Sequence, residues 1–356
     1  MDTKNYFRIV LQGSAGDSIN IVNLLIPLNK NIKLILNYVI GPLVFCLLAW
    51  SIYRQLNRQP NWEESFHQIK LAFEGIQVWK FVLVCMLMLI NWTIEARKWQ
   101  VAVTRLQPIN LLQCLKAIFT GTTMAFFTPN RIGEYLGRIL YIEEGKRIQA
   151  ISVTIVCSMA QLLVTLMAGI AGLLYLRNVI SHTAPLDDSL LFWTNTVLWI
   201  TILGCIVLTL LFFKLAWLVK LMEMIPKLGK LVQYIRVLDS FNATILWRIL
   251  SLSITRYFVF IAQYYLLFDV FDVDLSFAET FASMSVVFLV LAIVPSIAMI
   301  TELGVRWKAS IELVQFFSTN MIGVLATSLS IWVINLVIPA LIGSLLILSI
   351  RIFRNR

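Results

Sequence analysis

Between two apolar runs the chain carries FFTPNRIGEYLGR, residues 126–138, which gathers two arginines, a carboxylate, a proline and two glycines. Arg131, Glu134 and Arg138 lie three and four residues apart, so on a helix they share one face. An arginine there can take a phosphate through two parallel hydrogen bonds, while the glutamate holds it in place or meets a cationic head group. Pro129 breaks any preceding helix and drives Thr128 out of the helical region, so Asn130 is placed to cap the next helix through its side-chain oxygen. Gly133 and Gly137 form a G-x-x-x-G strip that admits a second helix backbone. A charge at bilayer depth costs about 2.5–3.5 kcal/mol on insertion scales, so this group needs mutual pairing, water or a ligand.

A second cluster lies in PSIAMITELGVRWKAS, residues 295–310, where Pro295 and Gly304 flank or interrupt the run and Glu302, Arg306 and Lys308 supply charge. Glu302 and Arg306 are four apart, which again pairs them on a helix face. In IEARKWQ, residues 94–100, Glu95 lies a turn inside the end of an apolar run and is placed to pair with a cation of the first cluster, beside Arg97. Lys98 and Trp99 read as the anchor that basic and indole side chains make at a membrane interface. The loop DVFDVD, residues 269–274, offers Asp269, Asp272 and Asp274. Aspartate clusters can hold Mg²⁺ against a diphosphate, as a phosphotransfer or prenyl-transfer enzyme requires. With no second acidic motif or base beside it, this loop is read as a solvated rim.

Two isolated histidines and five cysteines, mostly inside apolar runs, suggest neither a metal centre nor disulfides. With no P-loop, no zinc spacing and no Ser-His-Asp set, neither a catalytic role nor a cofactor is expected.

The elements that must position these residues are membrane helices. Of the 356 residues 59% are hydrophobic and 13% charged, with a mean hydropathy of +0.83, whereas soluble domains carry about a quarter charged residues. Apolar runs at 34–53, 79–99, 148–176, 190–213, 246–268 and 321–350 reach or approach the ~20 residues needed to span a bilayer as helix. This predicts an all-α polytopic integral membrane protein with about six full spans. The net charge of +10 is assigned to basic loops on the anionic cytoplasmic leaflet, not to nucleic-acid binding. Segment 1–33 is read as cytoplasmic or interfacial, 34–350 as one transmembrane domain, about 214–245 as a basic cytoplasmic connector with amphipathic character, and 351–356 as a basic cytoplasmic tail. Both termini are then cytoplasmic, in the cell membrane, while the acidic 269–279 and the weakly charged 177–189 face outside.

Two segments do not fit as plain spans. The apolar stretch 117–127 is too short to cross, and both its flanks are basic, so a re-entrant hairpin over about 117–146 is expected, turning at Pro129. The stretch from about 280 to 318 pauses at Pro295 and must return to its own side, which predicts a second hairpin entered from the opposite face. Two opposed re-entrant hairpins, possibly related as an inverted repeat, are how secondary transporters frame a central site.

With those residues in view, the chain resembles the transmembrane domain of lysylphosphatidylglycerol synthases and flippases. RKWQ at 97–100 is like the family's Arg-Trp boundary. TPNRIGEYLGR is like its Pro-Gly-Arg-x-Gly-Glu run with a further arginine. PSIAMITELGVRWKAS is like its late Pro-Ser … Gly-x-Gly-Val-Arg-Glu pattern. The likeness runs over most of the chain from about residue 34, with Asn130 where the family commonly has Gly, Trp307 where it has Glu, and Glu302 where it has Gly. It implies that Pro129, Asn130, Arg131, Gly133, Glu134, Arg138, Gly304 and Arg306 line a lipid-handling cavity. It also implies a flippase-like transporter of an anionic or zwitterionic phospholipid or polyprenyl-linked lipid, with no synthesis of aminoacyl lipid by these residues. The alternative is a non-catalytic membrane partner of a lipid-modifying or glycan-assembling enzyme.

Overall fold

A computed structural model of the chain describes residues 62–75, 77–183, 188–215, 234–294 and 299–349, with the single positions 46, 50 and 53. Among these residues all regular structure is helical: α1 Trp62–Glu74, α2 Val78–Val103, α3 Leu111–Phe126, α4 Gly133–Ile139, α5 Arg147–Thr183, α6 Asp188–Phe213, α7 Ala243–Val270, α8 Phe277–Ile293, α9 Met299–Val314, α10 Met321–Trp332 and α11 Ile338–Ser349. Helices α10 and α11 are joined through a π turn, Val333–Val337. Its origin lies in the sequence. Pro339 has no N–H to give the carbonyl of Asn335 four residues earlier, and Ile338 bonds instead to Val333, five residues back.

Five helices are long and apolar enough to cross a membrane: Val78–Val103, Glu144–Val179, Phe192–Phe213, Ala243–Val270 and the continuous Met321–Ile347. These are the expected spans from the second onward. The expected first span, 34–53, lies outside the described residues apart from Cys46, Trp50 and Tyr53, as do segment 1–33, most of the basic connector, Pro295 and the tail. Leu111–Phe126 and Phe277–Ile293 are shorter apolar helices, and they fall where plain spans did not fit.

Side-chain caps set where these helices begin. Asn110 Oδ1 accepts the Gln113 N–H at 2.8 Å and starts α3 at Leu111, six residues before the apolar stretch 117–127 opens. The charge of Lys116 does not end the helix, because it points outward and stays exposed. Ser276 and Glu279 form the matching capping box at α8, and Asn242 and Asn320 cap α7 and α10.

Helix α4 folds back along α3, and glycines permit the approach. A Cβ on Gly133 would collide with the Met124 carbonyl, and one on Gly137 with the Gly121 backbone. The pair then docks on α11, where Gly343 abuts the Phe119 carbonyl and Thr123 Oγ1 donates to the Ala340 carbonyl at 2.6 Å. Helices α8 and α9 form a second hairpin, and α9 reaches α3. Around these, α2 packs along α7, and α5 packs against α8, α7 and α6. Helix α6 lies at the periphery, with Phe192, Trp199, Ile200 and Leu203 largely exposed, the outer face expected toward lipid.

The turn between α3 and α4 differs from the sequence reading. Helix α4 starts at Gly133 rather than near Asn130, and Asn130 caps nothing: it and Arg131 both hold left-handed backbone, φ 50° and 58°. Thr128 Oγ1 accepts the Gly133 N–H at 2.7 Å in its place. Left-handed backbone costs most L-residues about 1–2 kcal/mol, and asparagine tolerates it best.

Gly137→Val is expected to lower the melting temperature of the detergent-solubilised protein, since overpacking of this kind costs about 1–3 kcal/mol or more. Gly304→Ala is the matched control. An added Cβ there meets nothing within 4 Å, so the melting temperature holds or rises.

Candidate functional site

Helix α2 buries one stripe of residues that includes Asn91, Trp92, Glu95, Lys98, Trp99 and Ala102, the spacing of a single helical face. The carboxylate of Glu95, 4% exposed, sits at its centre and meets three cations. Lys98 Nζ lies 2.6 Å from Oε2 on the same helix, Arg138 Nη2 from α4 lies 3.0 Å from Oε1, and Arg256 Nη1 from α7 lies 3.0 Å from Oε2. Arg138 Nη2 also bonds Glu134, whose other oxygen faces Arg131 Nε at 3.7 Å.

Arg256 is held by polar and aromatic partners. Its Nε donates to Asn91 Oδ1 at 2.7 Å and its Nη1 to Gln161 Oε1 at 3.4 Å. Its guanidinium lies over the rings of Trp92 and Phe260 at 5.6 and 5.9 Å. The whole network has four basic groups, Lys98, Arg131, Arg138 and Arg256, for two carboxylates, Glu95 and Glu134. It therefore carries excess positive charge in a low-dielectric setting.

That excess opens onto a cavity of about 320 Å³ bounded by α2, α5, α7, α8, α9, α10 and the π turn. Arg131, Arg256 and Arg306 reach its wall, and among the described lining residues there is no carboxylate. Arg306 Nη1 is steadied by the Tyr264 hydroxyl at 3.0 Å. The rest of the wall is largely apolar, with Trp92, Phe260, Phe288, Leu291 and Leu336. A concave, mainly apolar space with a few convergent polar groups is the form that ligand sites take. Here the polar groups suit a phosphate and the walls suit hydrocarbon.

The expected site residues separate into three sets. Arg131 and Arg306 reach the cavity. Glu95, Glu134 and Arg138 form the brace beside it, with Arg138 only 1% exposed and its Nη2 engaged by both carboxylates, so Arg138 positions other groups and does not line the wall. Arg97 is exposed and donates to Gln100 Oε1 at 2.6 Å, Lys308 is exposed on α9, and Asn130 is exposed at the turn. The Glu302 backbone belongs to α9, its side chain lying outside the description. Pro129 does open the 3-10 turn Pro129–Arg131, whereas Gly133 and Gly137 are packing residues within α4, and Gly304 lies inside α9 and not at a turn.

One further expectation is corrected. Lys98 and Trp99 are 1% and 0% exposed: the lysine answers Glu95, and the indole Nε1 donates to Thr154 Oγ1 at 3.0 Å, so neither is an interfacial anchor. The acidic loop keeps Asp269, Asp272 and Asp274 exposed, as expected of a rim; Asp269 also pairs with Lys80, and Asp272 closes a turn at φ 51° with its carbonyl accepting from Asn320 Nδ2 at 3.1 Å. Sequence reading passed over Arg256 and Gln161. Of the two arginines within the expected span 246–268, Arg248 lies near its edge and Arg256 well inside, and that depth was the available signal, since intramembrane charge marks function by default.

Glu95→Gln leaves three cations around a neutral amide and is expected to destabilise the protein by about 3–5 kcal/mol, seen as a large drop in melting temperature. Arg97→Ala, on the exposed side of the same helix, stays within about 0.5 kcal/mol of the parent. The family model for the lysylphosphatidylglycerol synthase TM region matches residues 38–306, well over half of the chain. No curated protein matches it.

Proposed function

This chain belongs to the lysylphosphatidylglycerol synthase TM-region family, and we propose that it moves a phosphate-bearing lipid between the leaflets of the cell membrane through the arginine-walled cavity. The observation that carries this reading is the pairing of Arg131, Arg256 and Arg306 with an apolar wall in one space of about 320 Å³. A free anion needs no hydrocarbon surface, and a bare acyl chain needs no guanidinium.

Each group has a distinct task. Arg131 is partly exposed, and its contact with Glu134 at 3.7 Å is long. An arriving phosphate displaces that carboxylate at little cost, since exposed ion pairs contribute about 0–1 kcal/mol. Arg256 receives the phosphate deeper in. Glu95, Asn91 and Gln161 hold its Nε and Nη1, which leaves Nη2 as the donor assigned to the ligand. Arg306, from the second hairpin, supplies a station on the opposing element. Acyl chains travel against the apolar wall while the head group exchanges arginines, which keeps the charge solvated by protein throughout.

The α3–α4 and α8–α9 hairpins act in this reading as re-entrant elements. Sixteen residues of α3 rise about 24 Å, short of the ~30 Å hydrocarbon core, so the turn at Pro129–Arg131 ends inside the membrane, where Arg131 meets the head group. The basic segments 214–236 and 351–356 keep both termini on the cytoplasmic side. The role is transport without chemical change of the lipid, and it needs no cofactor.

The test is exchange of acyl-chain-labelled phospholipid in reconstituted liposomes, read as label accessible to a membrane-impermeant quencher. Arg131→Ala is expected to slow exchange by roughly 10–100-fold, the worth of a hydrogen bond to a charged group, with the melting temperature nearly unchanged. Exchange at the parent rate would remove Arg131 from the path. A parent protein that exchanges no lipid at all would favour the role of a non-catalytic membrane partner to a lipid-modifying enzyme.

A further inference from the structure

A phosphate that crosses a membrane raises the question of what travels with it. Secondary transporters commonly carry a cation or a proton beside the substrate, held by the carbonyls of interrupted helices or by intramembrane carboxylates. In this site such a passenger meets charge of its own sign. Glu95 and Glu134 face Lys98 on α2, Arg131 and Arg138 on the first hairpin, and Arg256 on α7. The titratable neighbours that α5 and α3 add among the described residues are thiols, Cys157 and Cys114. Four cations against two carboxylates leave a positive surplus of two, and a phosphate with one negative charge does not cancel it. A cation is therefore repelled from the site both before and after the phosphate arrives, and the low-dielectric surroundings strengthen the repulsion.

Neither carboxylate is arranged to carry a proton. Glu95 is 4% exposed, and its three cations come from packed helices that a ligand in the cavity does not displace. Glu134 loses one partner when the phosphate takes Arg131, but its Oε1 keeps the bond from Arg138 Nη2. Arg138 is itself buried and fixed between both carboxylates, so the charge of Glu134 stays answered within α4. The cavity wall has no carboxylate among its described residues.

We propose that the phosphate-bearing lipid crosses alone, as an uncompensated anion, so that transport carries current and the membrane potential sets its direction. This rests on the transport reading above and adds the energy source to it. The cations of α2, α4 and α7 are tied to one another through Glu95, so the charge moved in each cycle is the lipid's own. With the cytoplasm negative, a lipid of one net negative charge is favoured in the outer leaflet by about fiftyfold per 100 mV. Anionic lipids are exported by the field, and zwitterionic ones are only equilibrated.

The experiment places the full chain in liposomes that hold a trace of acyl-labelled phosphatidylglycerol, chosen for its single negative charge. The steady distribution of label between leaflets is read with a membrane-impermeant quencher. A potassium gradient with valinomycin sets the potential; in separate samples a pH gradient or a sodium gradient is applied with the potential clamped at zero. An inside-negative potential of about 100 mV is expected to shift the label outward by roughly 10–50-fold, and the opposite potential to shift it inward, while either gradient alone leaves it even. Label that ignores the potential, or that follows the pH or sodium gradient at zero potential, means that a cation accompanies the lipid and overturns the proposal. A protein that exchanges no label under any of these conditions defeats the transport reading itself and this inference with it, a result distinct from the others.

Discussion

One carboxylate holds the membrane domain in register. Glu95 joins α2 to α4 through Arg138 and to α7 through Arg256, so two long helices and a hairpin meet at a single buried charge. Such networks add little net stability, because desolvation offsets most of the attraction. Their effect is on geometry. Any slip of α4 along α3, or of α7 along α2, would leave a guanidinium unpaired inside the protein, a far larger penalty than the loss of an apolar contact. Close glycine packing at Gly121, Gly133 and Gly137 then works with the network, because each demands the same relative position of the hairpin.

The network also sets the character of the cavity. Arg256 is the element common to both: one side of its guanidinium is committed to Glu95 and Asn91, and the residue lines the cavity. Without the brace, a long flexible cation would fold onto the nearest carbonyl. With it, positive potential is preorganised in a space with low-dielectric walls, where little water competes for it. The second hairpin contributes Arg306 and the π turn contributes Asn335, so the site is assembled from elements that are remote in sequence.

How much of this could be read beforehand depends on whether a signal was local. Spans from α2 onward and the two short apolar helices were visible, because hydropathy and helix length are properties of a contiguous run. The first cluster was visible as a group, since Arg131, Glu134 and Arg138 are close in sequence. Other features looked identical to something else. Lys98 and Trp99 have the composition of an interfacial anchor, and only their burial distinguishes them. Asparagine favours both helix caps and left-handed backbone, so the type of Asn130 did not decide between them; glycine, which commonly stands there in the family, fits the observed φ of 50° and would not have served as a side-chain cap. Pairing of Arg256 with Glu95 joins residues on separate spans and left no local mark at all.

The proximity of Lys98 to Glu95 bears on how the protein is made. Helix α2 leaves the ribosome long before α7, and Arg138 follows Glu95 by 43 residues, so neither guanidinium exists when α2 first enters the bilayer. An unaccompanied carboxylate would weigh against insertion by about 2.5–3.5 kcal/mol. Lys98 emerges within the same helical turn and reaches Glu95 at 2.6 Å, so the carboxylate arrives with its first counter-ion already in place. The lysine thereby acts as an escort during synthesis, holding the charge until the partners from the hairpin and from α7 join it.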